Sequence, residues 1–419
     1  MVTRLRNLFE IYPRQFWLMV IGIMLAHGGV SMIWPFLLIY TSQKLELPLV
    51  TVATLLSINA ATGIMSSFIA GSLADKIGRK VIMNVSLSLN GLAFLLMMGA
   101  STYVHFLILM IMIGMSNPLY QVGADAMLAD MIPTEKRAEA YSINRIAGNA
   151  AFALGAAFGG FMASVSYTLV FVAAGTGYLS YSLILFILAQ ETLERTSLKS
   201  PGVTEQKEMD QVAKGSVSGY GYIFKDKSFV TFVLLLSLGL IPPLMLWMLL
   251  PVYVKTGYGI VESQYGWIPT TNALMCVFVQ YSVTQITRKY KALPVVASGI
   301  LVYALGSGSV ALMSGFWGFW LSMVILTFGE LILVPTASKY VADLAPITMR
   351  GRYMSLYWLG WGLARAAAPL TGGLLNDGFT PKAIWIGGIS IGLVSAIGLY
   401  IFSKFDRDKL PTPTLVEPG

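Results

Sequence analysis

Along the chain, long apolar runs alternate with short polar breaks. Twelve runs reach the roughly 20 residues that a helix needs to cross the hydrocarbon core of a bilayer. They fall at 16–40, 50–74, 81–100, 104–131, 139–163, 167–190, 228–254, 263–287, 293–314, 317–344, 353–376 and 381–403. Outer-membrane barrels are built instead from strands of about 10 residues with polar alternation. One long polar segment, 191–227, contains Pro201, Gly202, Gly215 and charges of both signs. It reads as a cytoplasmic linker between two six-helix halves. The pattern predicts an all-α membrane protein with a first bundle at 1–190, a second at 228–403 and a polar tail at 404–419.

Composition agrees. The chain is 56% hydrophobic and 11% charged, with a mean hydropathy of +0.71, which excludes an ordinary soluble protein. Its one cysteine, Cys276, leaves no internal disulfide to form. The basic start, Arg4, Arg6 and Arg14, precedes an apolar run too long for a signal peptide and without a small-residue cleavage site, so it reads as a retained first span. A net charge of +8 raises the question of nucleic acid, and the distribution of charge answers it. With the N-terminus in the cytoplasm, the inner loops hold Lys76, Arg79, Lys80, Lys136, Arg137, Arg288, Lys289, Lys291, Arg350, Arg352, Lys404, Arg407 and Lys409. The outer loops hold Lys44, Lys255 and Lys382. The excess is a positive-inside topology signal, with the lipid bilayer as the partner. The expected location is the inner or plasma membrane, with both termini cytoplasmic.

The halves repeat each other. Ala129-Asp130 is followed by Pro133 and Arg137, and Ala342-Asp343 by Pro346 and Arg350; 343 less 130 gives an offset of 213. The same offset carries Gly159 and Gly160 onto Gly372 and Gly373. Both halves have six spans and run from inside to outside, so the repeat is parallel.

Between the second and third spans lies GSLADKIGRK, from Gly71 through Asp75, Gly78 and Arg79 to Lys80. It resembles the G-x-L-A-D-x-x-G-R-K signature of the major facilitator superfamily, in the position that family uses. The resemblance extends to the twelve-span plan, the central linker and the A-D-x-x-P-x-x-x-R repeats. It implies two bundles related by a parallel pseudo-two-fold and transport by alternating access. It also implies a cytoplasmic latch, in which Asp75 faces the N-terminus of the eleventh span near Gly351 and Arg79 reaches Asp130. Gly71 would let the second span approach a neighbour closely. Asp130 and Asp343, beside basic loops, suit structural pairing. Gly148, Gly155, Gly159 and Gly160 resemble the family's antiporter signature G-P-x-x-G-G, with Ala156 in place of the proline; the eleventh span keeps Pro369 before Gly372 and Gly373. The plan places spans one, four, seven and ten around a cavity. That nominates His27, Trp34, Asn117, Tyr120, Gln121, Met245, Trp247 and Glu330. Pro242-Pro243 would kink the seventh span.

Ionisable residues at bilayer depth are costly and mark function by default. At ~1.5 Å per residue, Glu330 in the tenth span and Arg365 in the eleventh both lie about 20 Å from the cytoplasmic end, where they could pair. Asp125 and Arg145 form a second candidate pair. Burial favours a neutral carboxyl and a nearby arginine favours the charged one, a balance that would poise Glu330 to load and release a proton. His27 is a further proton carrier by type. Gly329-Glu330 followed by Pro335 resembles the tenth span of multidrug efflux members.

The leading expectation is proton-coupled efflux of lipophilic or cationic small molecules by a monomer. A uniporter or symporter of a sugar, peptide, other metabolite or lipid is the alternative. An enzyme or non-transporting sensor is disfavoured, because two isolated histidines, one cysteine and no HExxH or GxSxG motif supply no catalytic set. No GxxxxGK[ST] loop is present, so a gradient must drive transport, and no cofactor or metal is expected.

Overall fold

In the computed structural model the described residues are 12–193, 223–346 and 349–405, with backbone alone at positions 134, 135, 138 and 350. Most of the linker, most of the tail and the Arg350 side chain therefore lie outside the described residues. The first bundle contains α1 (Arg14–Leu45), α2 (Leu49–Ile77), α3 (Arg79–Met97), α4 (Tyr103–Met131), α5 (Thr134–Val165) and α6 (Tyr167–Leu188). The second contains α7 (Lys227–Tyr258), α8 (Glu262–Tyr265), α9 (Trp267–Phe278), α10 (Gln280–Thr287), α11 (Ala292–Ser309), α12 (Gly315–Leu344), α13 (Arg350–Gly378) and α14 (Ala383–Phe405). No strand occurs among the described residues.

Local chemistry sets the helix ends. Thr102, Ser166 and Asp226 accept hydrogen bonds from the backbone N–H groups of His105, Thr168 and Phe229 and so cap α4, α6 and α7. Proline occupies the residue before α1, α2 and α5, where its fixed φ suits an extended entry. Gly78, at φ 113, turns the chain between α2 and α3, a conformation closed to a residue with a side chain.

Ten helices are long and apolar enough to cross a membrane among the described residues. The other two predicted spans depart for separate reasons. α13 has the length, 29 residues, but its Arg, Trp, Tyr and Gly content dilutes its hydropathy. The eighth span is broken at Val279 into α9, of 12 residues, and α10, of 8. The expected kink in the seventh span is not where the break falls. α7 runs unbroken through Pro242 and Pro243, and Pro242 is packed beneath Gly388 and Gly392 of α14.

Packing obeys the repeat. In the first bundle α1 packs on α5 and α6, α2 on α4, and α3 on α4 and α6. The 213-residue offset turns these into the pairs seen in the second bundle: α7 on α13 and α14, α9 and α10 on α12, and α11 on α12 and α14. The bundles meet through α2 with α13, α5 with α8 and α9, and α1 with α7. The molecule is thus an all-α membrane protein of two six-span bundles.

Candidate functional site

Glu330 lies near the middle of α12, where Gly329 allows close contact with Tyr303 and Gly299 of α11. Its carboxylate does not pair with Arg365. Glu330 Oε2 accepts from Asn272 Nδ2 at 2.9 Å, and Cys276 Sγ lies 4.0 Å from Oε1, both on α9. Arg365 is exposed and has no carboxylate at ion-pair distance among the described residues. The two residues share a depth and face different neighbours. The cation whose field reaches Glu330 is Arg145, from α5 of the other bundle. The atoms bonded to the carboxylate all belong to the second bundle.

Arg145 opens onto a recess of about 190 Å³ lined by Ile23, His27, Tyr120, Gln121, Ala124, Asp125, Tyr141, Asn144 and Arg145. The expected Asp125–Arg145 ion pair is not formed. Asp125 Oδ2 accepts instead from Gln121 Nε2, one turn earlier on α4, at 3.0 Å. Tyr120 stacks edge-on against Tyr181, with ring centroids 6.0 Å apart. Trp247 meets Phe152 of the other bundle edge-on at 6.1 Å. Asn117 is exposed and Trp34 half-buried. Met245 leaves the cavity list: it is 0% exposed and its Cε packs toward Gly372 of α13.

The inter-bundle hydrogen bonds among the described residues lie in the half of the molecule away from the basic loops. Glu262 of α8 receives the Tyr167 hydroxyl of α6 at 2.6 Å and Lys255 Nζ of α7 at 2.8 Å. Its side chain is 5% exposed. Burial pushes the Glu262 carboxyl up, but hydrogen bonds from Lys255 and Tyr167 outweigh it and hold the group below its ordinary value. Val50 N–H, at the start of α2, donates to Asp377 Oδ2 of α13 at 2.8 Å. Thr270 Oγ1 of α9 donates to the Ala153 carbonyl of α5 at 2.9 Å.

The repeated glycine pairs explain why helices can cross so closely here. A Cβ on Gly160 of α5 would run into the Glu262 carbonyl, and one on Gly373 of α13 into Val50 Cα. The offset of 213 relates Gly160 to Gly373, and Val50 to Ser263 beside Glu262. The two crossings are copies of one contact.

The basic end is arranged differently. Arg79 pairs with Asp130 at 3.2 Å, without hydrogen-bond alignment, and with Asp75 at 3.4 Å. Asp75 is 71% exposed and its ion pair stays within its own bundle. No atom lies within 4 Å of a Cβ built on Gly71 or Gly351, so the expected close approach is absent in this conformation. Arg137 donates to the carbonyls of Ala129 and Ile132 and closes the end of α4. Asp343 is exposed, and the Arg350 side chain falls outside the described residues.

Sequence reasoning missed two residues here. Glu191 accepts from the N–H groups of Arg79 and Lys80 at 3.0 and 3.1 Å, seating a carboxylate on the N-terminus of α3. Thr192 Oγ1 donates to Asp130 Oδ2 at 2.9 Å. Both begin the polar segment and carried no mark beyond an acid just after a span. The eighth-span partners of Glu330, Asn272 and Cys276, were missed as well.

Two six-span bundles related by a parallel repeat, and bonded to each other at the end away from the basic loops, are the architecture of a membrane transporter. The chain belongs to the Major Facilitator Superfamily, whose model matches residues 19–256 and 244–418. It is similar to a Na(+), Li(+), K(+)/H(+) antiporter of Planococcus maritimus, 26% identical over 417 residues, covering 93% of this chain and 96% of that protein. It is also similar to the multidrug resistance protein MdtH of Shigella flexneri, 21% identical over 406 residues, covering 96% and 94%. Among solved structures, a bacterial homologue of the human lysosomal transporter Spinster shares the fold at a TM-score of 0.78 and 13% identity, covering 95% of this chain and 98% of that one. The nucleoside transporter NupG does so at 0.76 and 12%, covering 92% and 99%.

Proposed function

We propose that this transporter exports lipophilic or cationic small molecules across the cell membrane in exchange for protons, as a monomer with both termini in the cytoplasm. The carrying observation is Glu330, a mid-depth carboxylate with an amide and a thiol as its nearest partners and no cation at ion-pair distance among the described residues. A fixed ion pair would hold it charged. With neutral partners it is free to gain and lose a proton as the crevice changes sides. Tyr120 and Tyr141 give the recess aromatic contacts for a lipophilic substrate, with Asp125 and Arg145 supplying charge of each sign in the same wall. The excess of Lys and Arg supports placing the basic end inside. The conformation described is then open inward and closed outward.

In proteoliposomes carrying a pH gradient, Glu330→Gln is expected to slow dye transport by at least about tenfold. Transport at the wild-type rate would sink the assignment. Exchange of alkali cations for protons at the same carboxylate is a second reading, favoured by the Planococcus relative. It predicts that Na⁺ or K⁺ alone collapses the pH gradient, dependent on Glu330.

A further inference from the structure

Asn272 is 6% exposed, and its amide nitrogen donates both to Glu330 Oε2 at 2.9 Å and to Thr327 Oγ1 at 3.0 Å. We propose that Asn272 is a positioning residue that sets when Glu330 takes up its proton. The proposal rests on the reading of Glu330 above. A hydrogen bond to a carboxylate is stronger than one to a neutral carboxyl, so this amide favours the charged form. Asn272 has no charge, so removing it deletes a hydrogen bond and leaves the charges in place. The other groups facing the carboxylate are Cys276 on the same helix, Tyr303 from α11 and Arg145 from α5.

The amide is held in place by the anchoring of α9. α9 carries Asn272 on one side and Thr270, bonded to Ala153 of α5, two residues away. Gly266, at the head of α9, sits against the Ala156 carbonyl of α5. The short helix is thus held between the opposite bundle and Glu330. Below it the helix breaks at Val279, and Gln280 Nε2 ties α10 to the Leu331 carbonyl of α12 at 3.1 Å. Trp320 Nε1 of α12 also donates to Thr271 Oγ1 of α9 at 2.8 Å, so the segment that presents the amide is anchored both to α5 and to the helix that carries Glu330.

The test uses the full chain in proteoliposomes. The carboxylic C=O infrared band lost in Glu330→Gln identifies Glu330, and its titration midpoint is read in Asn272→Leu and Asn272→Ala. Both variants are expected to move the midpoint about one pH unit toward alkaline, the size of one hydrogen bond to a charged group. The pH profile of dye transport should move with it. A midpoint that stays in place in either folded variant overturns the proposal. A midpoint that moves while the transport profile stays would keep Asn272's hold on the carboxylate and remove the coupling role of Glu330.

Discussion

At the residue scale, Glu262 ties the two bundles together at the end away from the basic loops, the outer end in the proposed orientation. Its carboxylate is desolvated and receives two donors from two bundles, so its loss is felt more than that of a surface pair. Its folded pKa lies below the ordinary 4.5, so the stabilisation is complete above that range and is lost only as pH falls through the lowered value. Closure should therefore be insensitive to external pH between about 5 and 8. Glu262→Gln should open the outer end in a larger fraction of molecules, by about tenfold in the equilibrium, the size of a hydrogen bond to a charged group. Distances between spin labels on the outer ends of α2 and α13 would report both effects, and a wild-type distance distribution in the variant would reject the latch. Depth along a helix was legible at this scale, and azimuth was not. Spacing put Glu330 and Arg365 at one level but could not say that Glu330 turns toward α9. The same gap hid Asn272 and Cys276, ordinary residues within an apolar run.

At the element scale, hydrophobic length located the spans to within a few residues. The fourth was expected at 104–131 and runs Tyr103–Met131; the twelfth was expected at 381–403 and runs Ala383–Phe405. The break at Val279 was not legible, because neither glycine nor proline marks it. α7, by contrast, stays one continuous helix through Pro242 and Pro243. The glycine pairs carried a pattern whose meaning only packing supplies: they seat each crossing on the backbone of the other bundle. Gly160→Ala and Gly373→Ala place a methyl against backbone that has no rotamer to yield. Each should lengthen the outer label distance and speed hydrogen exchange at the start of α8 or α2 respectively. Protection unchanged from wild type would show that the crossings tolerate the methyl.

At the scale of the whole molecule, the transport cycle proposed above requires that closure of one end exclude closure of the other. In the state described, the outer end holds Glu262 and Asp377 in inter-bundle bonds, while Asp75 at the basic end is exposed and bonded only within its own bundle. A group that does nothing across the interface in one state and engages α13 in the other biases the equilibrium toward the second state. Asp75→Asn should thus enlarge the inward-open population, and Glu262→Gln should shrink it. The two sites lie at opposite ends of the molecule and share no partner, so their effects should add in free energy. The double variant is expected near the wild-type distribution, while each single variant departs from it in the opposite sense. If Asp75→Asn moves the inner-end distances by nothing, or if the double variant matches either single one, the bundles are not exchanging one closure for the other.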